Sequence, residues 1–189
     1  MSRTASLAVA LLAFAGGAAA QVQVPGPGPA PSVHAESRLS FPPAIGGATL
    51  DQSASYGGGS VEYRYSAKGM QIYVVVYNGG RRVPQGADTP ALMNQFTSEV
   101  TSAEMQIKGA GMSQFERPTV PSVCSYGSVA FRCLVYSASA RSGRFYSKLL
   151  MTGYNGYFLK IRIDWSQAQN QTQAEADQVL SAFVPALVH

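Results

Sequence analysis

Histidine, cysteine and charge are all scarce in this chain of 189 residues. It has two histidines and two cysteines, and only 13% of its residues are charged. His34 lies beside a proline-rich segment and His189 is the last residue, so we expect no histidine within the folded domain. Ser-His-Asp and Cys-His mechanisms need an imidazole beside the nucleophile, so the sequence argues against both. The H-E-x-x-H, G-x-S-x-G and S-x-x-K motifs are missing as well, and we expect no cofactor or metal.

The positive charge is scattered rather than clustered. Lysine and arginine number 14 against 10 acidic residues, and the one adjacent basic pair is Arg81-Arg82 in a glycine-flanked loop. No basic run or nucleic-acid motif occurs, so a nucleic-acid partner is not predicted.

The N-terminus has the pattern of a secretory signal peptide. Arg3 is followed by a short apolar stretch, Leu7–Phe14, and by Ala18-Ala19-Ala20 as a cleavage site before Gln21. The apolar stretch is too short for a membrane span, so we expect a periplasmic or extracellular protein without a transmembrane segment in its mature chain. Residues 21–37, rich in proline and glycine, predict a tail or linker. Residues 38–189 then form a single domain.

The patterns in this domain predict an α+β fold, in which an antiparallel sheet (a hairpin plus a meander) packs on two helices. The hairpin pairs Val61–Tyr65 with Met70–Tyr77 around a Lys68-Gly69 turn. The helices are expected at about 89–108, after an N-cap at Thr89, and at about 171–184, stopped by Pro185. The buried side of the first helix would carry Leu92, Phe96, Val100, Ala103 and Ile107, and that of the second Ala176, Val179, Leu180 and Phe183.

Three further strands form the meander, and their alternation predicts a register. Phe131, Cys133 and Val135 alternate on the first strand, Phe145, Leu149 and Met151 on the second, and Leu159, Ile161, Ile163 and Trp165 on the third. Three-residue loops at 141–143 and 154–156 place all these side chains on one face and pair Leu149 with Ile161 and Met151 with Leu159. A two-residue Asn-Gly turn would instead set Met151 against Lys160. We therefore expect Phe96, Val100, Leu149, Ile161 and Trp165 to share one core.

This register also predicts a basic, tyrosine-containing surface on the opposite face. It places Lys148 opposite Arg162, with Lys160 two positions along the strand and Tyr136 and Tyr146 alongside. Opposed like charges are destabilising unless an anion or a carboxylate neutralises them. The sequence thus leaves two hypotheses for this face: a site for an anionic ligand or partner, and a solvated surface with splayed side chains.

The two cysteines, Cys124 and Cys133, are expected to form a structural disulfide. An exported chain meets an oxidising compartment, and an even cysteine count favours pairing. The spacing is not C-x-x-C, and further metal ligands are missing.

The order of elements resembles that of PsbP-like and DcrB-like domains. A hairpin, a helix after Thr89-Pro90, a meander and a C-terminal helix follow one another, and the segment SFPPAIGG (Ser40 to Gly47) is similar to openings in such exported bacterial proteins. The resemblance implies an accessory or binding role, usually without enzymatic activity. The resemblance assigns no functional residues to this chain. DcrB-like members are lipoproteins, and Gln21, the predicted first residue of the mature chain, is not the cysteine with which a lipoprotein starts.

Three functional hypotheses follow from the sequence. The first is an exported, non-enzymatic binding or accessory domain, whose partner would be an anionic envelope component or another exported protein. The second is a hydrolase of cell-wall or other glycans that uses a carboxylate pair, with Glu62, Glu116 and Asp164 as candidates. The third is an envelope structural protein that self-associates.

Overall fold

The computed structural model describes residue 30 and residues 32–141 and 143–188. The predicted signal peptide lies outside the described residues, as does most of the proline-rich segment. Eleven strands and two α-helices follow in chain order: β1 Val33–His34, β2 Leu39–Ser40, β3 Ala44–Ile45, β4 Ala48–Ser55, β5 Val61–Ala67, β6 Met70–Tyr77, α1 Pro90–Gly109, β7 Ser113–Glu116, β8 Ser122–Tyr126, β9 Val129–Ala140, β10 Gly143–Tyr154, β11 Tyr157–Ser166 and α2 Gln173–Leu187.

Nine of the strands form one antiparallel sheet, and this confirms the predicted α+β class. Their order is β3-β4-β5-β6-β11-β10-β9-β7, and β8 also pairs with β9. Strands β1 and β2 make a separate two-stranded hairpin. The predicted first hairpin is confirmed residue by residue, since Val61, Tyr63 and Tyr65 pair with Val76, Val74 and Ile72.

Both helices begin at the residues that their capping signals indicate. The Thr89 side chain accepts a hydrogen bond from the Leu92 backbone N–H, and Pro90 occupies the first turn of α1. Thr172 and Glu175 form a reciprocal capping box at the start of α2. The prediction that Pro185 stops α2 is wrong, because the helix continues to Leu187. Leu187 is buried in the core, and its burial offsets the one backbone hydrogen bond that proline cannot donate.

The predicted register of the meander is wrong. Leu149 pairs with Arg162 and Met151 with Lys160, around a two-residue Asn155-Gly156 turn. Both turn residues have positive φ, 48° and 89°, as this tight hairpin turn requires. The loop between β9 and β10 is also shorter than predicted, since Ala140 pairs with Gly143. The shift by one residue turns every side chain of β10 to the other face of the sheet.

The sheet tolerates this arrangement because both of its faces are covered. On one face, α2 and the N-terminal strands pack on a core that includes Phe131, Ile161 and Trp165. On the other face, α1 packs on a second core that includes Leu149 and Met151. The prediction of one shared core is therefore wrong: Phe96, Val100 and Leu149 lie in the second cluster, and Ile161 and Trp165 lie in the first. We call these two faces the α2 face and the α1 face.

His34 belongs to the fold, so the prediction that no histidine lies in the folded domain is wrong. Its ring is buried, makes a hydrogen bond of 2.8 Å with Ser37 Oγ, and contacts the Tyr157 ring edge-on. Strand β1, which contains His34, precedes the domain boundary predicted at residue 38. The second histidine, His189, lies outside the described residues.

The predicted disulfide between Cys124 and Cys133 is confirmed. The two Cα atoms are 6.0 Å apart, and the bond joins β8 to β9. Cys133 is buried in the α2-face core. Within the described part of the chain, neither helix has both the length and the apolar character needed to span a membrane.

Candidate functional site

A cleft lies on the α1 face, between the second half of α1 and the part of the sheet that this helix leaves open. Its enclosed part is small, about 70 Å³, and it opens widely to solvent. Small-molecule sites have volumes of roughly 300–1,000 Å³, so only part of a small ligand would be enclosed here and the rest would lie at the open mouth. We call it the α1 cleft; its lining consists of Tyr56, Ser60, Glu62, Tyr73, Val75, Glu99, Ser102, Ala103, Gln106, Tyr136, Leu149, Lys160 and Arg162.

An ion pair between the helix and the sheet forms one end of the cleft. Lys160 Nζ on β11 donates to Glu99 Oε2 on α1 over 2.9 Å. The hydroxyl of Tyr77 and the side-chain amide of Gln95 both donate to Glu99 Oε1, at 2.8 and 3.2 Å. Burial opposes ionisation of Glu99, but the Lys160 ammonium and these hydrogen bonds outweigh it and hold the pKa of this carboxyl below its usual value.

A buried polar network forms the floor of the cleft around Arg162. Its Nη2 lies 3.2 Å from Asp164 Oδ2, and the guanidinium lies 4.3 Å from the centre of the Tyr73 ring. Ser147 Oγ donates to the other oxygen of Asp164 over 2.6 Å. The Arg64 guanidinium also lies over the Tyr73 ring, at 5.1 Å. Burial raises the pKa of Asp164, and Arg162 opposes this shift. The network fixes the position of Arg162 beneath the cleft.

The structure brings together three of the five residues predicted to bind a ligand. Lys160, Arg162 and Tyr136 all line the α1 cleft. Lys148 and Tyr146 lie on the α2 face, because β10 is turned over relative to the predicted register. Lys148 therefore pairs with Ile163 on β11 rather than with Arg162.

The two residues on the α2 face already have partners there. Lys148 Nζ lies 2.6 Å from Asp177 Oδ1 on α2, and Tyr126 donates to the same carboxylate oxygen over 3.1 Å. The Tyr146 ring stacks on that of Trp165 with 5.6 Å between their centres. The contacts of Lys148 attach α2 to the sheet, and the stacking of Tyr146 on Trp165 joins two neighbouring strands of the sheet.

Several cleft residues were not found from the sequence, in particular Glu99, Tyr73 and Gln106. The sequence did contain a signal for the β5 side of the cleft. Polar residues alternate along this strand, so Glu62 and Arg64 face away from the apolar side of the hairpin. Glu99 lies beside Val100 on an otherwise polar flank of α1, and only the packing of the helix on the sheet shows that it faces Lys160.

The three candidate carboxylates for a hydrolase do not line one common cleft. Glu62 lines the α1 cleft, whereas Asp164 lies under Arg162 and does not line it. Glu116 on β7 is paired with Arg144 on β10. In the described ranges, no group of three or more His, Cys, Asp or Glu side chains is arranged to hold a metal ion.

Comparisons with protein-family models, curated proteins and solved structures found no match to this chain. The chemistry of the α1 cleft is therefore the basis for a functional proposal.

Proposed function

We propose that this protein is an exported, non-enzymatic binding domain whose small polar ligand occupies the α1 cleft. The observation that carries the proposal is the convergence of Lys160, Arg162, Glu62 and Tyr136 on one concave, partly buried site. Concave sites with an apolar lining and a few converging polar groups are where proteins bind small molecules. The accessory or binding role implied by the resemblance to PsbP-like and DcrB-like domains is compatible with this proposal and stays a prediction.

Export is supported by two features that are far apart in the sequence. The first twenty residues have the charge, apolar stretch and small residues of a signal peptide. The disulfide between Cys124 and Cys133 is a bond that persists in oxidising compartments and is rare in the cytosol.

The structure changes what the ligand is expected to be. An anionic ligand was predicted because Lys148 and Arg162 would have opposed each other, and the observed register puts them on different faces. Each cation in the cleft has a carboxylate beside it, Glu99 for Lys160 and Asp164 for Arg162. The charges are thus already compensated within the protein, and the need for an external anion is removed.

Binding without catalysis is supported by the pKa shifts and positions of two carboxylates, Glu99 in the cleft and Asp164 beneath it. Glycoside hydrolysis needs one carboxyl group that donates a proton and a second that acts as base or nucleophile. Glu99 accepts three hydrogen bonds and has a lowered pKa, so it is a poor proton donor. Asp164 has a raised pKa but lies beneath Arg162, outside the cleft lining. Self-association, the third hypothesis, stays a prediction.

A thermal-shift screen of small polar molecules tests the proposal. The library contains sugars, amino acids, organic acids and nucleotides, and wild type is compared with Ser102→Trp, which places an indole in the cleft. Ser98→Trp is the matched control, because Ser98 is exposed one turn earlier on α1 and does not line the cleft. Gln106→Trp is a second blocking variant.

The expected result is a ligand that stabilises wild type and Ser98→Trp but neither blocking variant. Circular dichroism of each variant checks that the fold is retained. If no compound stabilises the wild type, or if the blocking variants respond as the wild type does, the cleft is not a binding site and the proposal is wrong.

A further inference from the structure

One carboxylate in the α1 cleft, that of Glu62, has the Tyr56 hydroxyl as an electrostatic neighbour, since burial and the Glu62 charge both raise the pKa of Tyr56. In the described part of the chain no hydrogen bond or ion pair reaches the Glu62 carboxylate, whereas the Glu99 carboxylate accepts from Lys160, Tyr77 and Gln95. A carboxylate accepts hydrogen bonds and does not donate them when ionised. A ligand group that binds Glu62 is therefore a donor, such as a hydroxyl or an amine, whereas a ligand carboxylate or phosphate would be repelled there.

The overall charge of the site is balanced. The cleft and its floor contain three cations, Arg64, Lys160 and Arg162, and three carboxylates, Glu62, Glu99 and Asp164. A ligand with a net negative or positive charge would be attracted by one of these two sets of side chains and repelled by the other. An uncharged ligand meets neither penalty and can still form charge-assisted hydrogen bonds to both signs, which are stronger than neutral ones.

The rest of the lining provides both hydrogen-bonding and apolar groups. Ser60 and Ser102 offer hydroxyls that can both donate and accept. Val75, Ala103 and Leu149 give an aliphatic surface beside them. A ligand that matches this mixture has a rim of hydroxyls around a ring whose faces are covered by C–H bonds.

We propose that the ligand of the α1 cleft is an uncharged saccharide, with Glu62 accepting hydrogen bonds from its hydroxyls. This inference rests on the proposed binding function of the cleft and specifies its ligand class. Lys160 and Arg162, held in place by Glu99 and Asp164, donate to hydroxyl or ring oxygens of the same sugar.

A glycan array followed by calorimetry tests the inference. The array carries neutral and acidic glycans, and hits are measured as soluble oligosaccharides against the full chain without its signal peptide. Three charged probes are included: inorganic phosphate is an anion, glutamate carries an ammonium and two carboxylates with a net negative charge, and ethanolamine is a cation. Glu62→Gln removes the charged acceptor, and Glu104→Gln is the matched control because Glu104 lies on α1 outside the cleft.

The expected result is binding of a neutral glycan that Glu62→Gln weakens about tenfold or more and Glu104→Gln leaves unchanged. Its affinity should change less than about twofold between about 50 mM and about 500 mM sodium chloride, since an uncharged ligand is not screened. If only acidic glycans or the charged probes bind, and Ser102→Trp abolishes that binding, the saccharide inference is wrong and the binding function stands. If nothing binds, or if Ser102→Trp has no effect on what does, both are wrong.

Discussion

The ammonium of Lys148 lies 2.6 Å from Asp177 Oδ1 and links the middle of strand β10 to helix α2. The Lys148 side chain is only 10% exposed, so its charge depends on this carboxylate and on the Tyr126 ring, whose centre is 5.6 Å away. Burial opposes the charged form, but the hydrogen bond that Lys148 donates to Asp177 and the neighbouring Tyr126 outweigh it and raise the pKa of Lys148. The pair is an attachment point between sheet and helix.

Asp177→Asn should destabilise the protein more than Lys148→Met. The first change leaves a buried ammonium without its carboxylate, which costs about 1–3 kcal/mol. The second removes the charge and keeps most of the side-chain volume, so its cost should stay below about 1 kcal/mol. Urea unfolding of both variants measures the difference. Equal stabilities, together with ligand binding lost in Lys148→Met, would assign Lys148 to a binding site instead.

Glu99 should make stability depend on pH in the acid range. Its pKa is lowered in the folded protein from an ordinary value of 4.5, so the folded state favours the ionised form above that pH. This contribution is complete at neutral pH and is lost as the pH falls below about 4.5 and through the folded-state pKa. Glu99→Gln should therefore cost about 1–3 kcal/mol at pH 7 and progressively less towards pH 3.

Chemical unfolding of wild type and Glu99→Gln at several pH values measures this loss. Glu36→Gln, at an exposed position of the N-terminal hairpin, is the control. A difference between wild type and Glu99→Gln that stays constant down to pH 3 would mean that the carboxylate gains nothing from Lys160.

Two adjacent glycines should respond very differently to alanine. Gly46 and Gly47 both have positive φ, 55° and 81°, so alanine is strained by about 1–2 kcal/mol at either position. At Gly46 a Cβ atom would also lie 2.5 Å from Phe183 Cα and 2.6 Å from Ala182 O, in the backbone of α2. At Gly47 no atom lies within 4 Å of that position.

Gly46→Ala should therefore lose about 1–3 kcal/mol more than Gly47→Ala, because α2 must move away from the β3–β4 turn. Thermal unfolding of both variants under the same conditions compares them. Similar losses would show that α2 does not approach the turn this closely.

The disulfide should contribute to stability mainly by restricting the unfolded chain. Closing a loop of this length corresponds to about 2.5–3 kcal/mol in the chain-entropy model. The double variant Cys124→Ala/Cys133→Ala should lose about this amount in urea unfolding. Reduction of the wild type with dithiothreitol is the internal control, because it opens the loop without changing a side chain. Unchanged stability in both experiments would refute a structural role.

The sequence by itself determined the features that depend on residues close together along the chain. Thr89-Pro90 defines the start of α1, and the period of Leu92, Phe96 and Val100 identifies its buried side. The β5–β6 hairpin follows from its own turn and from the alternation along β5, where Glu62, Arg64 and Ser66 alternate with buried residues. The Asn155-Gly156 turn was equally well encoded, and the prediction failed by giving the apolar pattern more weight than the turn.

Only the tertiary structure decided which face each side chain of β10 occupies and which residues form the α1 cleft. In β10, Leu149, Leu150 and Met151 are consecutive and all buried, so alternation could not specify a face. They are buried on both sides because α1 covers one face and α2 the other, an arrangement that arises when distant parts of the chain pack together. The same packing brings Glu99 to Lys160 and separates Lys148 from Arg162. A cleft built from a helix and several strands has no local sequence signal, because its residues meet only once both layers have packed.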